Sequence, residues 1–223
     1  PLFLTEYRGW LRNNENRASL ISGSNHLRLP EKVEHIAYSK TSELYKIEMD
    51  ILRWASVCGT DIDARIVSAV TKLGRKKIFD ILHALEMTGL VRFKTAFPTA
   101  TWEFHHEILR RAIYQTIPYK DKAVRHRTIV KKMTPVPERF IADKHTTIAW
   151  HADRSGAPHL SYAAHMRAAT IAEKRFLYKT AEQHLIQARK IVKTQKNSAR
   201  NKLRICQIND RLIRGDFIFA AYD

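Results

Sequence analysis

The sequence is short of cysteines and of long apolar runs, and each shortage excludes a class of protein. Cys58 and Cys206 are the two cysteines among 223 residues, which excludes a disulfide-stapled secreted scaffold and favours a reduced compartment. The apolar runs are too short for a membrane-spanning helix of about 20 residues, and no basic region followed by an apolar run marks a signal peptide. We therefore expect a cytoplasmic chain without a membrane span.

The chain also lacks the sequence patterns of several kinds of active site. It has no GxxxxGK[ST] loop to cradle phosphates, no defensible set of nucleophile, base and orienting carboxylate, and no ligand spacing typical of a metal centre. We expect no catalytic residues and no metal site, so this chain by itself should not hydrolyse ATP. Because it opens with PLFLTEY and not with methionine, we expect a segment of a longer protein.

Acidic residues are scarce in one part of the chain. The sequence has 39 Lys and Arg against 22 Asp and Glu, a net charge of +17. Residues 108–204 hold 22 basic and 6 acidic residues, whereas residues 1–107 hold 15 and 13. A basic block of this kind indicates contact with nucleic acid, an anionic membrane or an acidic partner domain, or else a solvated helical surface.

Spacings of three and four residues between apolar side chains predict helices along most of the first half. Gly59 and Gly89 follow two of these helices, as glycine often does at a helix end. The predicted elements are a helix over 1–13, a polar linker to 29, a helix from Pro30, and helices over 42–57, 60–70 and 74–88.

The period then changes from helical spacing to alternation. LVRFKTAF and TWEFHH alternate around a turn, which predicts a two-stranded hairpin. Helices are predicted again over 107–117, 120–133, 138–154, 158–173, 175–193 and 196–213. Three helices followed by a hairpin is the order of a winged helix–turn–helix. We thus predict a mainly α fold, in which a winged helix–turn–helix with a small β-hairpin precedes antiparallel helical repeats.

Small residues in the last helices indicate the type of repeat. Ala181, Leu185 and Ala188 fit the A-x3-F-x2-A spacing of the second helix of a tetratricopeptide repeat. Ala169 and Ala172 lie where its first helix needs small side chains, which let helices approach closely. The pattern predicts tetratricopeptide-like repeats.

Two adjacent histidines, His105 and His106, lie where the second predicted strand becomes a helix. Neighbouring residues of a strand point to opposite faces, so the pair should not share a metal ion, and His83 and His126 show no ligand spacing with it. Without a nucleophile nearby, acid–base catalysis is not expected either. Two interpretations remain: a histidine that caps or packs at the junction, and a sensor of phosphate beside a helix N-terminus.

Several stretches, taken in order, resemble one protein family: PLFLTEYRGWL, LPEKVEHIAYSKTSELYKIEMDILRWASVCG, LEMTGLVRF, WEFHHEILRRAIYQTI and RHRTIVKKM. They resemble the signal-transduction ATPases with numerous domains, above all the bacterial regulatory ATPases often fused to class III adenylate or guanylate cyclases or to DNA-binding output domains. The resemblance covers most of residues 1–193 and is strongest over 1–133. It implies the C-terminal end of an ATPase lid and a linker at 1–29, a winged helix with its following helices at 30–133, and helical repeats at 138–223.

The resemblance also implies a nucleotide-binding site to which this chain contributes only a few residues. Pro1 matches the proline of a GNPLFL-type motif that packs near the adenine, and the P-loop and Walker B carboxylates would lie upstream. Residues 104–110 match the family pattern F-x-H-x-[LI]-x-R, which makes His106 the implied contact with the β-phosphate of ADP, with Glu107 in the place of an aspartate. ATP or ADP is the implied cofactor, held mainly by residues outside this chain.

Arg75, Lys76 and Lys77 open the predicted helix over 74–88, where a DNA-binding winged helix would contact a groove. Asp80 and Glu86 lie on the same helix, and the unit is nearly neutral, whereas phosphate binding usually needs a broader basic face. The resemblance implies a winged helix packed on the ATPase. The three cations are therefore candidate contacts to nucleic acid or to an acidic partner, and the internal role of the winged helix is favoured over a DNA-binding one.

Together these features predict a regulatory segment of a nucleotide-dependent signalling ATPase. It would couple the ADP or ATP state through the winged helix to a protein partner on the helical repeats and to an output such as cyclase activity. The upstream ATPase domain of the same chain would be its other partner. The alternatives are a DNA-binding winged-helix transcription regulator and a helical-repeat scaffold for protein–protein interaction.

Overall fold

A computed structural model describes residues 41–96, 99–141 and 143–220, with side chains up to residue 215. Pro1, the helix predicted over 1–13, the linker to 29 and the start of the helix from Pro30 lie outside the described residues. The described part is mainly helical, with nine α-helices and one three-stranded antiparallel sheet. Within these ranges no helix is long and apolar enough to cross a membrane.

The first part, residues 46–104, is called the sheet module. Its elements, in chain order, are α1 (Lys46–Cys58), β1 (Asp61–Asp63), α2 (Ala64–Thr71), α3 (Arg75–Met87), β2 (Val91–Thr95) and β3 (Thr101–Phe104). The sheet order is β1–β3–β2, so the predicted hairpin of β2 and β3 is confirmed. Gly59 ends α1 with φ of 115°, a backbone conformation that residues other than glycine rarely adopt.

The helix predicted over 60–70 is wrong at its start, because residues 61–63 form β1. Ile62 pairs with Trp102 across the sheet and is fully buried. Asp63 then ends the strand and caps α2, since its carboxylate accepts a hydrogen bond from the Arg65 backbone N–H at 2.8 Å. A strand of three residues is too short to show alternation in the sequence.

Large aliphatic side chains fill the interior of the sheet module. Ile78, Leu82 and Leu85 of α3 are fully buried, as their spacing predicts, while Ile81 is half-buried against the same cluster. Trp102 on β3 is contacted edge-on by the rings of Phe79 and Phe93, with centroids 5.0 and 5.2 Å away. The module therefore has one compact apolar core under its sheet.

Residues 107–220 are called the helical region. Its helices are α4 (Glu107–Gln115), α5 (Tyr119–Met133), α6 (Lys144–Asp153), α7 (Pro158–Lys174), α8 (Tyr178–Lys193) and α9 (Ala199–Ala220). The single helix predicted over 138–154 is wrong, because a 3-10 turn at 138–140 and an Asp143 with φ of 44° precede α6. Phe176, with φ of 60°, likewise delays the start of α8.

Small residues line the contacts between the later helices. Ala169, Ala172, Ala181, Leu185 and Ala188 are all buried, and α7 packs along α8 while α8 packs along α9. Because the connections are short, neighbouring helices run antiparallel. The small side chains allow the close approach that their spacing predicts.

The sheet module and the helical region share a continuous apolar core. Val57, Ile66 and Val70 of the module pack with residues of α5 and α6, among them Ile129 and Met133. Arg125 on α5 adds a polar contact, since it lies over the ring of Trp54 and donates to Asp50 Oδ1 at 2.6 Å. The two parts therefore pack as one body.

Candidate functional site

His106 lies at the junction between β3 and α4, where the sequence places a strand-to-helix change. It is the N-cap of α4 with φ of −137°, and its carbonyl accepts from the backbone N–H of Leu109 at 3.0 Å. Its side chain is half-buried and makes no capping hydrogen bond. The backbone thus fixes the position of His106 relative to α4.

The premise that strand alternation separates His105 from His106 is wrong. β3 ends at Phe104, so the pair lies beyond the strand, and the two rings meet edge-on with centroids 4.6 Å apart. His105 is exposed, and its backbone N–H donates to the Leu90 carbonyl at 3.0 Å. Across the described ranges no group of three or more His, Cys, Asp or Glu side chains is arranged to hold a metal ion.

The residue after His106 forms a charged contact with α4 itself. Glu107 accepts two hydrogen bonds from Arg110, at 2.6 and 2.7 Å, and a longer one from Arg111. Burial acts to raise the pKa of Glu107, but Arg110 and Arg111 outweigh it and hold the pKa below its usual value. Glu107 therefore stays ionised near neutral pH, with both cations directed toward it.

Arg110 also connects α4 to the sheet module. Its Nη1 donates to the backbone carbonyl of Ser56 at 2.9 Å, which lies in the last turn of α1. Helix carbonyls at that end have no partner within their own helix, so a guanidinium is a favourable donor there. A displacement of α4 at His106 would therefore be transmitted to α1 through this side chain as well as through the apolar core that the two helices share.

Arg75, Lys76 and Lys77 lie on a different surface. All three are exposed in the first turn of α3, and none forms an ion pair with a carboxylate in the described part of the chain. The other end of α3 leads to Leu90, the partner of His105. A helix of 13 residues is about 18 Å long, so the basic turn and His106 belong to separate places. Pro1 lies outside the described residues, so its distance from His106 is not defined.

A cleft of about 770 Å³ separates the hairpin side of the module from α5 and α6. Its walls are mainly apolar and include Met133, Phe140 and Trp150. The nearby charges largely neutralise one another, as in the pair of Lys94 and Asp61 at 2.6 Å. The volume suits a small organic ligand, and no local sequence pattern marks it because its walls come from distant segments.

Two buried histidine pairs join helices of the helical region. His126 on α5 and His151 on α6 approach with Nδ1 atoms 2.9 Å apart, and the Tyr114 hydroxyl lies 3.0 Å from His126 Nε2. A hydrogen bond between two imidazoles needs one neutral acceptor nitrogen. Burial, followed by the neighbouring His151 and the charge of Arg154, lowers the pKa of His126 to about 3, and burial lowers that of His151 to about 4.

The second pair forms a chain of hydrogen bonds across three helices. His165 and His184 have Nδ1 atoms 3.0 Å apart, His165 Nε2 lies 3.0 Å from Asp153 Oδ1, and His184 Nε2 lies 3.3 Å from the Thr146 hydroxyl. Ser161 also donates to Asp153. If His165 donates to the carboxylate, then His184 donates to His165 and Thr146 donates to His184, which satisfies every group.

Of the residues singled out in the sequence, the structure brings together His106, Glu107 and Arg110. It leaves Arg75, Lys76 and Lys77 on a separate surface. The paired histidines were missed, because their partners lie 12 to 38 residues apart. No protein-family model, no curated protein and no solved structure matches this chain.

Proposed function

We propose that the sheet module is a winged helix–turn–helix and that α7 and α8 form a tetratricopeptide-like repeat. The element order α1–β1–α2–α3–β2–β3, with β1 added to the edge of a hairpin, supports the first assignment. The buried alanines at the contacts of α7 and α8 support the second. Two helices of 17 and 16 residues also fit a repeat of about 34 residues.

In this proposal the chain is the regulatory segment of a cytoplasmic, nucleotide-dependent signalling ATPase. ADP is bound mainly by an upstream ATPase domain. His106 contacts this ADP, and the contact stabilises the inactive state of the ATPase. Exchange for ATP releases the module and lets the repeats engage a protein partner and an output such as a cyclase. Such a switch needs a ligand that distinguishes two states.

The observation that carries the proposal is the position of His106 at the N-cap of α4, next to the Arg110 contact with α1. Backbone N–H groups at a helix start favour an anion. The Glu107 carboxylate would repel a phosphate, but Arg110 and Arg111 offset its charge. A contact made at His106 can therefore bias α4 and, through Arg110 and the apolar core that α4 shares with the module, the sheet module itself.

The test uses the chain joined to its upstream ATPase domain. His106→Ala should weaken ADP binding about tenfold, the loss expected for one hydrogen bond to a charged group, and should raise the basal output. His105→Ala is the matched control, because that ring is exposed beside His106, and it should leave ADP binding unchanged. Equal ADP affinity of wild type and His106→Ala in calorimetry would refute the sensor role.

A DNA-binding regulator is the second candidate, favoured by the exposure of Arg75, Lys76 and Lys77 in the first turn of α3. In a winged helix this turn faces the major groove. The triple variant Arg75→Gln/Lys76→Gln/Lys77→Gln should then abolish sequence-specific binding of a selected DNA duplex. If selection yields no preferred sequence, this candidate is rejected.

A further inference from the structure

Both ends of the helical region are rich in cations, but the carboxylates that could neutralise them are distributed unequally. Because α5 to α9 alternate in direction, one end collects the start of α5, the end of α6, the start of α7, the end of α8 and the start of α9. A Cβ at Gly156 would lie 3.7 Å from Ala123 Cβ, and Arg127 donates a hydrogen bond to the Ser155 carbonyl at 2.9 Å, so α5 lies beside the α6–α7 turn at this end.

This end, called the positive end, holds eight cations and two carboxylates. The carboxylates are Asp121 and Asp153, and Asp153 is already occupied by His165 and Ser161. Between residues 183 and 209 the sequence contains no acidic residue. The cations are Lys120, Lys122, Arg154, Lys190, Lys193, Lys196, Arg200 and Lys202.

Ion pairs between helices occur at the opposite end. There Arg175 pairs with Glu138 at 2.7 Å and Arg211 pairs with Glu173 at 2.8 Å. In the ranges that the structure describes, no cation of the positive end lies within ion-pair distance of a carboxylate. Lys190, Lys193, Lys196, Arg200 and Lys202 are all exposed, so their mutual repulsion is relieved only by solvent and counterions.

We infer that the positive end binds the phosphate backbone of a nucleic acid without reading its base sequence. Lysine is depleted in protein–protein interfaces, yet it supplies five of the six exposed cations of the positive end. These six are Lys120, Lys190, Lys193, Lys196, Arg200 and Lys202. Lysine side chains that meet phosphates release counterions and need no fixed geometry.

An anionic membrane fits this surface less well. Peripheral membrane binding typically uses one amphipathic helix with basic and large apolar faces. Here the cations are spread over the ends of several helices, and the exposed Tyr119 and Leu203 belong to α5 and α9. Neither His106 nor the basic turn of α3 takes part, so this inference stands apart from both functions proposed above.

The test measures fluorescence anisotropy of labelled 20-base-pair DNA duplexes of two unrelated sequences, with the whole chain, from 50 to 200 mM NaCl. Both duplexes should bind with similar affinity, which falls steeply with salt. Lys190→Gln/Lys193→Gln/Lys196→Gln should weaken binding at least tenfold and flatten the logarithmic salt slope by up to about 3, at roughly 0.9 per phosphate contact.

A matched triple variant removes the same charge from the opposite end. Lys131, Lys132 and Lys179 are also exposed, and their replacement by Gln should change the affinity less than threefold. Equal losses in the two variants would show a response to net charge alone and overturn the inference. So would the absence of binding at 50 mM NaCl, a loss confined to Arg75→Gln/Lys76→Gln/Lys77→Gln, or binding to phosphatidylserine vesicles without binding to DNA.

Discussion

The sheet module and the helical region are stabilised by different kinds of interior. The module buries large aliphatic side chains, such as Leu52, Leu82 and Leu90, and Ser56 is its one buried polar residue among those described. The helical region also buries large aliphatic side chains, such as Ile113 and Ile129, but adds many alanines, four histidines in two hydrogen-bonded pairs and a lysine, Lys144. Burial of apolar surface therefore dominates the stability of the sheet module, and buried hydrogen bonds contribute a larger share of the stability of the helical region.

This difference has a consequence for specificity. Helix contacts made by alanine do little to fix the position of one helix along the axis of the next, because the side chains are small and alike. A buried hydrogen bond does fix it, since breaking the bond without a new partner is costly. Lys144 illustrates this, because its ammonium group donates to the carbonyls of Thr134 and Val136 at 2.7 and 2.5 Å. The polar pairs thus hold the register of helices that small side chains leave underdetermined.

The largest effect is expected in the aliphatic interior. Leu82→Ala removes a fully buried side chain of α3 and should lower the free energy of unfolding by about 2–5 kcal/mol, as a transfer and cavity effect. Met87→Ala on the same helix is the control, because Met87 is 79% exposed, and should change it by less than about 0.5 kcal/mol. Urea unfolding followed by circular dichroism measures both, and equal losses would contradict the assignment of this core.

Acid should destabilise the helical region first. The pKa values of His126 and His151 are lowered from 6.5 to about 3 and about 4. Their contribution is complete above pH 6.5 and is lost as the pH falls toward 4, because the unfolded chain then binds more protons. Between pH 6.5 and 5 the free energy of unfolding should fall by roughly 3 kcal/mol if both histidines contribute fully.

The control for the acid effect replaces both members of the pair. His126→Leu/His151→Leu removes both titrating groups and leaves the half-buried Tyr114 hydroxyl without its partner, so the double variant should lose about 1–3 kcal/mol at neutral pH and lose most of the dependence on pH. Besides His151, His126 faces Tyr114 and Arg154, and neither the phenol nor that guanidinium titrates between pH 5 and 6.5. An unaltered pH profile in the double variant would exclude the pair as its source.

A smaller effect is expected where the alanines make helix contacts. Ala169→Leu adds volume at a fully buried position of α7 that packs against α8 and should cost about 1–3 kcal/mol by overpacking. Ala163→Leu adds the same volume at an exposed position of α7 and should be nearly neutral. Should the two substitutions have the same effect on the thermal midpoint, close packing of α7 on α8 would not be what stabilises this region.

Much of the fold could be predicted because helix periods and turn residues are local signals. Gly59 and Gly89 mark helix ends in the sequence, and both have positive φ. β1 could not be predicted, since Ile62 becomes a strand residue only through its pairing with Trp102, forty residues away. The break before α6 depends on Asp143 in a left-handed conformation, which composition alone does not indicate.

The candidate site was predictable only in part. His106 could be placed at a strand-to-helix junction from the change of period, but its ring contact with His105 depends on the strand ending early, at Phe104. The histidine pairs, the cleft and the positive end all require knowledge of which helices are neighbours. The charge block over 108–204 is visible in the sequence, whereas the gathering of its unpaired cations at one end follows from antiparallel packing.

The smallest effect should come from one of the polar contacts that join the two regions. Arg110→Gln removes the hydrogen bond to the Ser56 carbonyl and the paired contact with Glu107, and should cost about 1 kcal/mol. We expect urea unfolding of this variant to remain a single cooperative transition, because the apolar core that joins the regions remains. Arg111→Gln, which loses only the longer bond to Glu107, is the control. If Arg110→Gln splits the urea transition into two steps, Arg110 and not the shared core makes the regions unfold together; a single transition at a slightly lower midpoint would show that the shared core suffices.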